Sequence, residues 1–149
     1  MSQEPLTEAI QHYLREIYKL GQEADRPASV TALARAQGVS PASASAMVKK
    51  LAALKLAEHA PYRGVSLTAS GERVALEVIR HHRLLELYLA ETLGVDVENV
   101  HDEADRLEHA ISEELEARID QALGFPTHDP HGDPIPDANL RWPHAAAGN

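Results

Sequence analysis

The chain has 149 residues, no cysteine, 44% hydrophobic and 25% charged residues, and a formal net charge of −9. That length suits one globular domain or two small ones, and the missing cysteine excludes disulfides and thiolate metal sites, leaving imidazoles and carboxylates as the strong ligands. With no signal peptide and no apolar run of the ~18 residues that a membrane span requires, the expectation is a cytoplasmic protein with no membrane partner.

The charge is unevenly placed. Residues 1–80 carry ten Lys/Arg against eight Asp/Glu, a balance of +2, whereas residues 81–149 carry four against fifteen, a balance of −11. A polyanion is a natural partner for the first part and a cation for the second. Aromatics are only 4%, so the core is aliphatic and alanine-rich, which favours helices over strands.

In chain order, Glu4 to Gln22 has helical spacing of Ile10, Tyr13, Leu14, Ile17, Tyr18 and Leu20, with Gly21 as its stop signal and His12 beside the apolar face. Ala28 to Leu56 reads as a helix-turn-helix. Ser29 caps Val30–Gln37, Gly38-Val39 forms the turn, and Ser40-Pro41 opens a helix to Leu54 that buries Ala44, Val48, Leu51 and Leu54. The outward positions at the start of that helix, Ser40, Ala42, Ser43, Ser45 and Ala46, are small or hydroxylic, which lets a recognition helix lie deep in a major groove. Lys49, Lys50 and Lys55 then stand where phosphates would run. An ordinary alanine-rich helical hairpin is the competing reading.

Residues 57–67 alternate as a short hairpin that turns at Pro61 and Gly64, so a wing follows the recognition helix, with Arg63 at its tip as a phosphate or minor-groove contact. Thr68 caps the next helix, Ala69 to Leu93, whose apolar face is Val74, Val78, Leu84, Leu85 and Leu89. It carries His82 and Glu86 at i, i+4, a weak two-coordinate metal signal. Past the break at Gly94-Val95-Asp96, the string His101-Asp102-Glu103-Ala104-Asp105-Arg106-Leu107-Glu108-His109, read as a helix, puts His101, Asp105, Glu108 and His109 on one stripe. Four ligand-type side chains at that spacing suit a divalent cation, because like charges one turn apart repel. A solvated acidic face is the alternative. Ser112 caps a last helix, Glu113–Leu123, closed by Gly124, and the proline-rich residues 126–149 read as a linker or irregular arm.

The order of winged helix, long helix and acidic-His helix resembles the diphtheria toxin repressor and manganese transport regulator family, from about Leu6 to Pro136. The similarity is carried by Tyr13-Leu14-Arg15-Glu16-Ile17-Tyr18, Tyr62-Arg63-Gly64, Arg80-His81-His82-Arg83-Leu84-Leu85-Glu86, the His101–His109 string and Gly132-Asp133-Pro134-Ile135-Pro136. It implies a mainly α protein: a winged helix-turn-helix DNA-binding domain over 1–72, a helical dimerisation and metal-binding domain over 73–125, and a tail over 126–149. Longer members add an SH3-like domain, and the expectation is that this chain stops before one.

The implied function is a homodimeric repressor that binds palindromic operator DNA when metal-loaded, not an enzyme. The resemblance assigns a primary metal site to His12, Asp105, Glu108 and His109, and an ancillary site to His82, Glu86 and His101. This chain departs from the pattern in three places. His12 stands where iron-responsive members have methionine and manganese-responsive ones aspartate. Asp105 stands where the former have cysteine and some of the latter glutamate. Arg15 replaces a carboxylate of the shorter manganese regulators. The sulfur-free donor set favours Mn²⁺, then Fe²⁺, with Zn²⁺, Co²⁺, Ni²⁺ or Cd²⁺ expected to bind in vitro. Three rival readings stand against it: a winged-helix regulator of a small organic ligand; a metal-dependent hydrolase, for which no general base is left over; and a dimeric scaffold module, which leaves Ser40–Lys50 and Arg63 unexplained.

Overall fold

The structure, a computed structural model, describes residues 6–143. Its elements are α1 (Glu8–Ala24), α2 (Val30–Gln37), α3 (Pro41–Ala53), β1 (Ala57–Ala60), β2 (Gly64–Leu67), α4 (Ala69–Glu91), α5 (Val97–Leu107) and α6 (Glu113–Ala122). The chain divides after Ala75, inside α4, into two compact units.

In the first unit, Thr7 caps α1 by accepting from the Ile10 N–H at 3.1 Å, which sets the start at Glu8; the expected start at Glu4 lies outside the described residues. The helix also passes Gly21, the expected stop, and ends at Asp25 (φ 53°), whose N–H bonds the Gly21 carbonyl. A single glycine lowers helix propensity without ending a helix, and aspartate tolerates the left-handed cap. Ser29 and Ser40 cap α2 and α3 through their hydroxyls. Ile10, Leu14, Ile17, Leu33, Ala44, Val48 and Leu51 meet in one core. Leu54, expected in that core, is 39% exposed. It is the C-cap of α3, so the chain is already turning there, and Leu56 takes the buried place instead.

The strands pair antiparallel, Ala57 with Leu67 through Ala60 with Gly64. Ala28, ahead of α2, bridges to Val65 through bonds of 2.9 and 2.7 Å, so the wing's base is clamped to the helix-turn-helix. Gly64 (φ +101°) permits this approach, since a Cβ there would lie 2.6 Å from the Ala28 carbonyl oxygen. Thr68 joins wing to α4: its hydroxyl donates to the Lys55 carbonyl at 2.8 Å and accepts from the Gly71 N–H at 3.1 Å.

In the second unit, Leu85 of α4, Ala104 of α5 and Ile119 of α6 form a core flanked by Tyr88, Ile111 and Leu123. Residues 126–143 form no helix or strand, yet they pack as an arm: Asp129, Ile135 and Pro136 are buried. Arg80, also buried, donates to the Pro136 carbonyl (2.9 Å) and to Asp120 (3.0 Å) and pairs with Glu116 (3.1 Å). Its charge is therefore matched on every side, as a buried guanidinium needs. Leu84, Leu85 and Leu89, the apolar face of α4, are buried within this single chain. Leu93, Val97, Leu107 and Leu115 remain exposed.

Candidate functional site

The recognition-helix residues form a solvent-facing row. Ala42, Ser43, Ala46, Lys49 and Lys50 are exposed and Ser45 half-buried, opposite the buried Ala44, Val48 and Leu51. Arg63 is exposed on the wing. Ser40 is the N-cap that the sequence reading made it, as well as a residue expected to face DNA. Its hydroxyl accepts from the Ser43 N–H and donates to the Ser43 hydroxyl, both at 3.1 Å, so it serves the helix cap first.

The ligand-type residues of the second unit meet around His82, which α4 holds buried at 8% exposure. Its Nδ1 lies 2.5 Å from a Glu108 carboxylate oxygen and 3.3 Å from Asp105. Its Nε2 lies 2.9 Å from Glu86 and 3.1 Å from Nδ1 of His101. His101 and Asp105 sit one turn apart on α5, with Nε2 and Oδ2 3.4 Å apart. The helix ends at Leu107, but Glu108, its C-cap, keeps helical backbone (φ −62°, ψ −25°), so the stripe continues through it. His109 lies in the turn beyond, buried against Glu108 at 3.2 Å. The stripe is thus a helix for two members, a C-cap with helical backbone for Glu108 and a turn for His109. His12 stands half-buried on α1 in the first unit.

The resemblance implies two ligand sets, but His82 belongs by distance to both: it can share one ion with Glu86 and His101, or with Asp105 and Glu108. A further cluster, Glu86 with Asp129 and His131, escaped the sequence reading. Asp129 is fixed by N–H bonds from His131 and Asp133, each 2.8 Å, and His131 Nδ1 is 3.5 Å from Glu86. The run His128-Asp129-Pro130-His131 is rich in ligand types, but its return to α4 is a tertiary contact that no local spacing reveals.

Burial alone would lower the His82 pKa, but hydrogen bonds to Glu108 and Glu86 win and raise it to about 9. Burial would raise Glu86, and the bond to His82 and its charge instead hold it at about 2. Burial, with Glu86 alongside, raises Asp129. His81 next door, opposed by its own burial, is raised by Glu116; its ring nitrogens face the Glu108 carbonyl (3.2 Å) and Glu116 (3.1 Å). Three carboxylates therefore converge on one imidazolium. One proton offsets one of those charges, whereas a divalent cation offsets two and takes oxygen and nitrogen donors together. The donor set fits such an ion.

Comparison with known proteins places these features in a family. Residues 5–65 match the iron dependent repressor, N-terminal DNA binding domain, and residues 68–137 its metal binding and dimerisation domain. The chain is 36% identical over 131 residues to the diphtheria toxin repressor of Corynebacterium efficiens, covering 88% of this chain and 56% of that protein. It is thus similar to little more than half of that longer relative. An uncharacterised HTH-type transcriptional regulator of Methanocaldococcus jannaschii is 34% identical, with 76% of this chain and 91% of that protein covered. A solved manganese-dependent transcriptional repressor in complex with manganese superposes with a TM-score of 0.79 at 45% identity, covering 92% of this chain and 63% of that one. This chain belongs to the iron-dependent repressor family.

Proposed function

We propose that the chain is a metal-dependent transcriptional repressor that binds palindromic operator DNA as a homodimer when loaded with Mn²⁺, or with Fe²⁺ as the next choice. The observation that carries this reading is the buried His82, ringed by Glu86, Asp105 and Glu108 beneath His101. Two buried acids and a half-buried one around one imidazole are costly to a fold unless an ion is to be bound.

His82, Glu86 and His101 would hold one cation, and Asp105, Glu108 and His109 a second, with His12 as the ligand drawn from the first unit. The ion supplies charge and fixed ligand geometry, and the chemistry ends there. An ion that takes ligands from α1 and α5 ties the DNA-reading unit to the second unit. In the dimer it would set the spacing of two recognition helices to half-sites about one helical turn, ~34 Å, apart. Manganese is favoured by the sulfur-free donors and by the manganese-complexed structural neighbour. Zn²⁺, Co²⁺ and Ni²⁺ are expected to bind at least as tightly in vitro, since raw affinity follows the Irving–Williams order. Target genes of such a repressor are those of metal homeostasis.

The test uses a fluorescent duplex selected from a random-sequence pool by the Mn²⁺-loaded protein. Binding should require Mn²⁺, vanish in EDTA, and weaken strongly in His12→Ala and Glu108→Gln. Equal binding in EDTA and Mn²⁺ would overturn the proposal.

A further inference from the structure

The wing tip carries a side chain whose backbone geometry the fold does not reward. Arg63 N–H bonds the Ala60 carbonyl at 2.9 Å, closing a turn with Pro61 second and Tyr62 third. Tyr62 has φ +65°, the sign pattern of a type II turn, whose third position is normally glycine or asparagine. A bulky aromatic there is strained.

Among the described residues, the other non-glycine positive φ values fall at Asp25, Lys55, Phe125 and Leu140. Asp25, Lys55 and Phe125 each follow a helix end and return an N–H to its last carbonyls, and Leu140 is half-buried. Tyr62 ends no helix, and its relative exposure is 107%. Its ring therefore contributes no packing to offset the strain.

The base beneath it is fixed. Ala28 and Val65 clamp the strand, and the Gly64 backbone lies too close to Ala28 for any side chain. The turn that carries Tyr62 thus stands on a fixed backbone. With Arg26 and Arg63, Tyr62 lines an open groove of about 390 Å³, whose two guanidinium groups suit a phosphate backbone.

We propose that Tyr62 is a DNA-positioning residue: its ring packs on the sugar edge of the duplex beside Arg63, and its hydroxyl donates to a phosphate. The inference rests on the DNA-binding reading above. Backbone strain retained on a rigid, bare tip marks a place where a partner supplies the compensating contact. Tyrosine, with an apolar body and a polar end, suits a sugar–phosphate edge.

The test compares Tyr62→Gly and Tyr62→Asn, both tolerant of the left-handed conformation, with Tyr62→Phe, in the full chain with Mn²⁺. The probes are the selected duplex and bulk calf-thymus DNA. Tm of the Gly and Asn variants should equal or exceed wild type, while affinity for both DNAs falls by the same factor, about tenfold. The salt slope should stay as in wild type, since the side chain is uncharged, whereas Arg63→Ala should flatten it by about 0.9. Tyr62→Phe should fall between. Unchanged affinity in the Gly and Asn variants, or a loss of affinity that tracks a loss of Tm, overturns the inference while leaving the DNA-binding reading intact. A wild-type protein that binds neither DNA overturns both.

Discussion

His82 sets the chemistry of the second unit, because the same nitrogens that would bind an ion carry protons in the metal-free protein. Its pKa, raised to about 9 by Glu108 and Glu86 against its own burial, makes it an imidazolium at neutral pH. An ion must displace that proton. Below pH 9 each such ion should release one, so Mn²⁺ affinity should climb about tenfold per pH unit between 6 and 8. Isothermal titration in buffers of different ionisation enthalpy counts the proton; no release would mean that His82 is not a ligand.

Without metal, the same pair predicts a stability profile. A histidine raised from 6.5 to about 9 stabilises the fold fully below 6.5 and loses that contribution as pH climbs to 9. Glu86, lowered from 4.5 to about 2, contributes above 4.5 and loses its share as pH falls towards 2. The EDTA-treated protein should therefore have its highest Tm between about pH 4.5 and 6.5. In His82→Gln the alkaline decline should shrink, which differential scanning calorimetry would show.

At the scale of elements, the joint between wing and α4 depends on one residue without a side chain. Gly71 is buried in the first turn of α4, and a Cβ there would lie 1.9 Å from the Leu56 carbonyl oxygen. Backbone on both sides leaves no flexible group to yield. Gly71→Ala should cost about 2–4 kcal/mol, as other backbone-level clashes in tight packing do. Urea unfolding of metal-free protein would measure it, and a change within error would show that α4 can slide away from β1. Nothing local in the sequence marks this contact, because the closeness of Gly71 to Leu56 depends on how the wing folds back.

Elsewhere the legible and hidden parts divide on the same line. Ser29, Gly38, Ser40-Pro41 and Ser112 announce their helices locally, and those helices form where the caps place them. The i, i+4 pair His82/Glu86 and the His101–Glu108 stripe could be read because helical spacing maps sequence directly onto space. Asp129 and His131 could not, since an arm without periodicity brings them to Glu86. Leu54 was misplaced for a related reason: periodicity continues on paper past the residue where the helix stops.

For the whole molecule, the decisive property is the division of charge, +2 over residues 1–80 and −11 over residues 81–149. DNA binding by the first part, as proposed, would be opposed by the acidic second part, and each bound divalent ion would reduce that opposition. If metal favours DNA binding, then by linkage DNA must favour metal binding by the same factor. With a typical coupling of about 1–3 kcal/mol, that factor is roughly 5–150. Four constants test it: duplex affinity with EDTA and with saturating Mn²⁺, and Mn²⁺ affinity with and without saturating duplex. The two ratios should agree, and both should shrink as salt screens the long-range part. In Glu108→Gln, which loses one of the proposed ligands, both should fall towards one together. A metal effect on DNA binding with no reciprocal effect of DNA on Mn²⁺ affinity would show that the ion acts on some other equilibrium, such as association of two copies. Sedimentation of the metal-free protein at the same concentrations would then locate it.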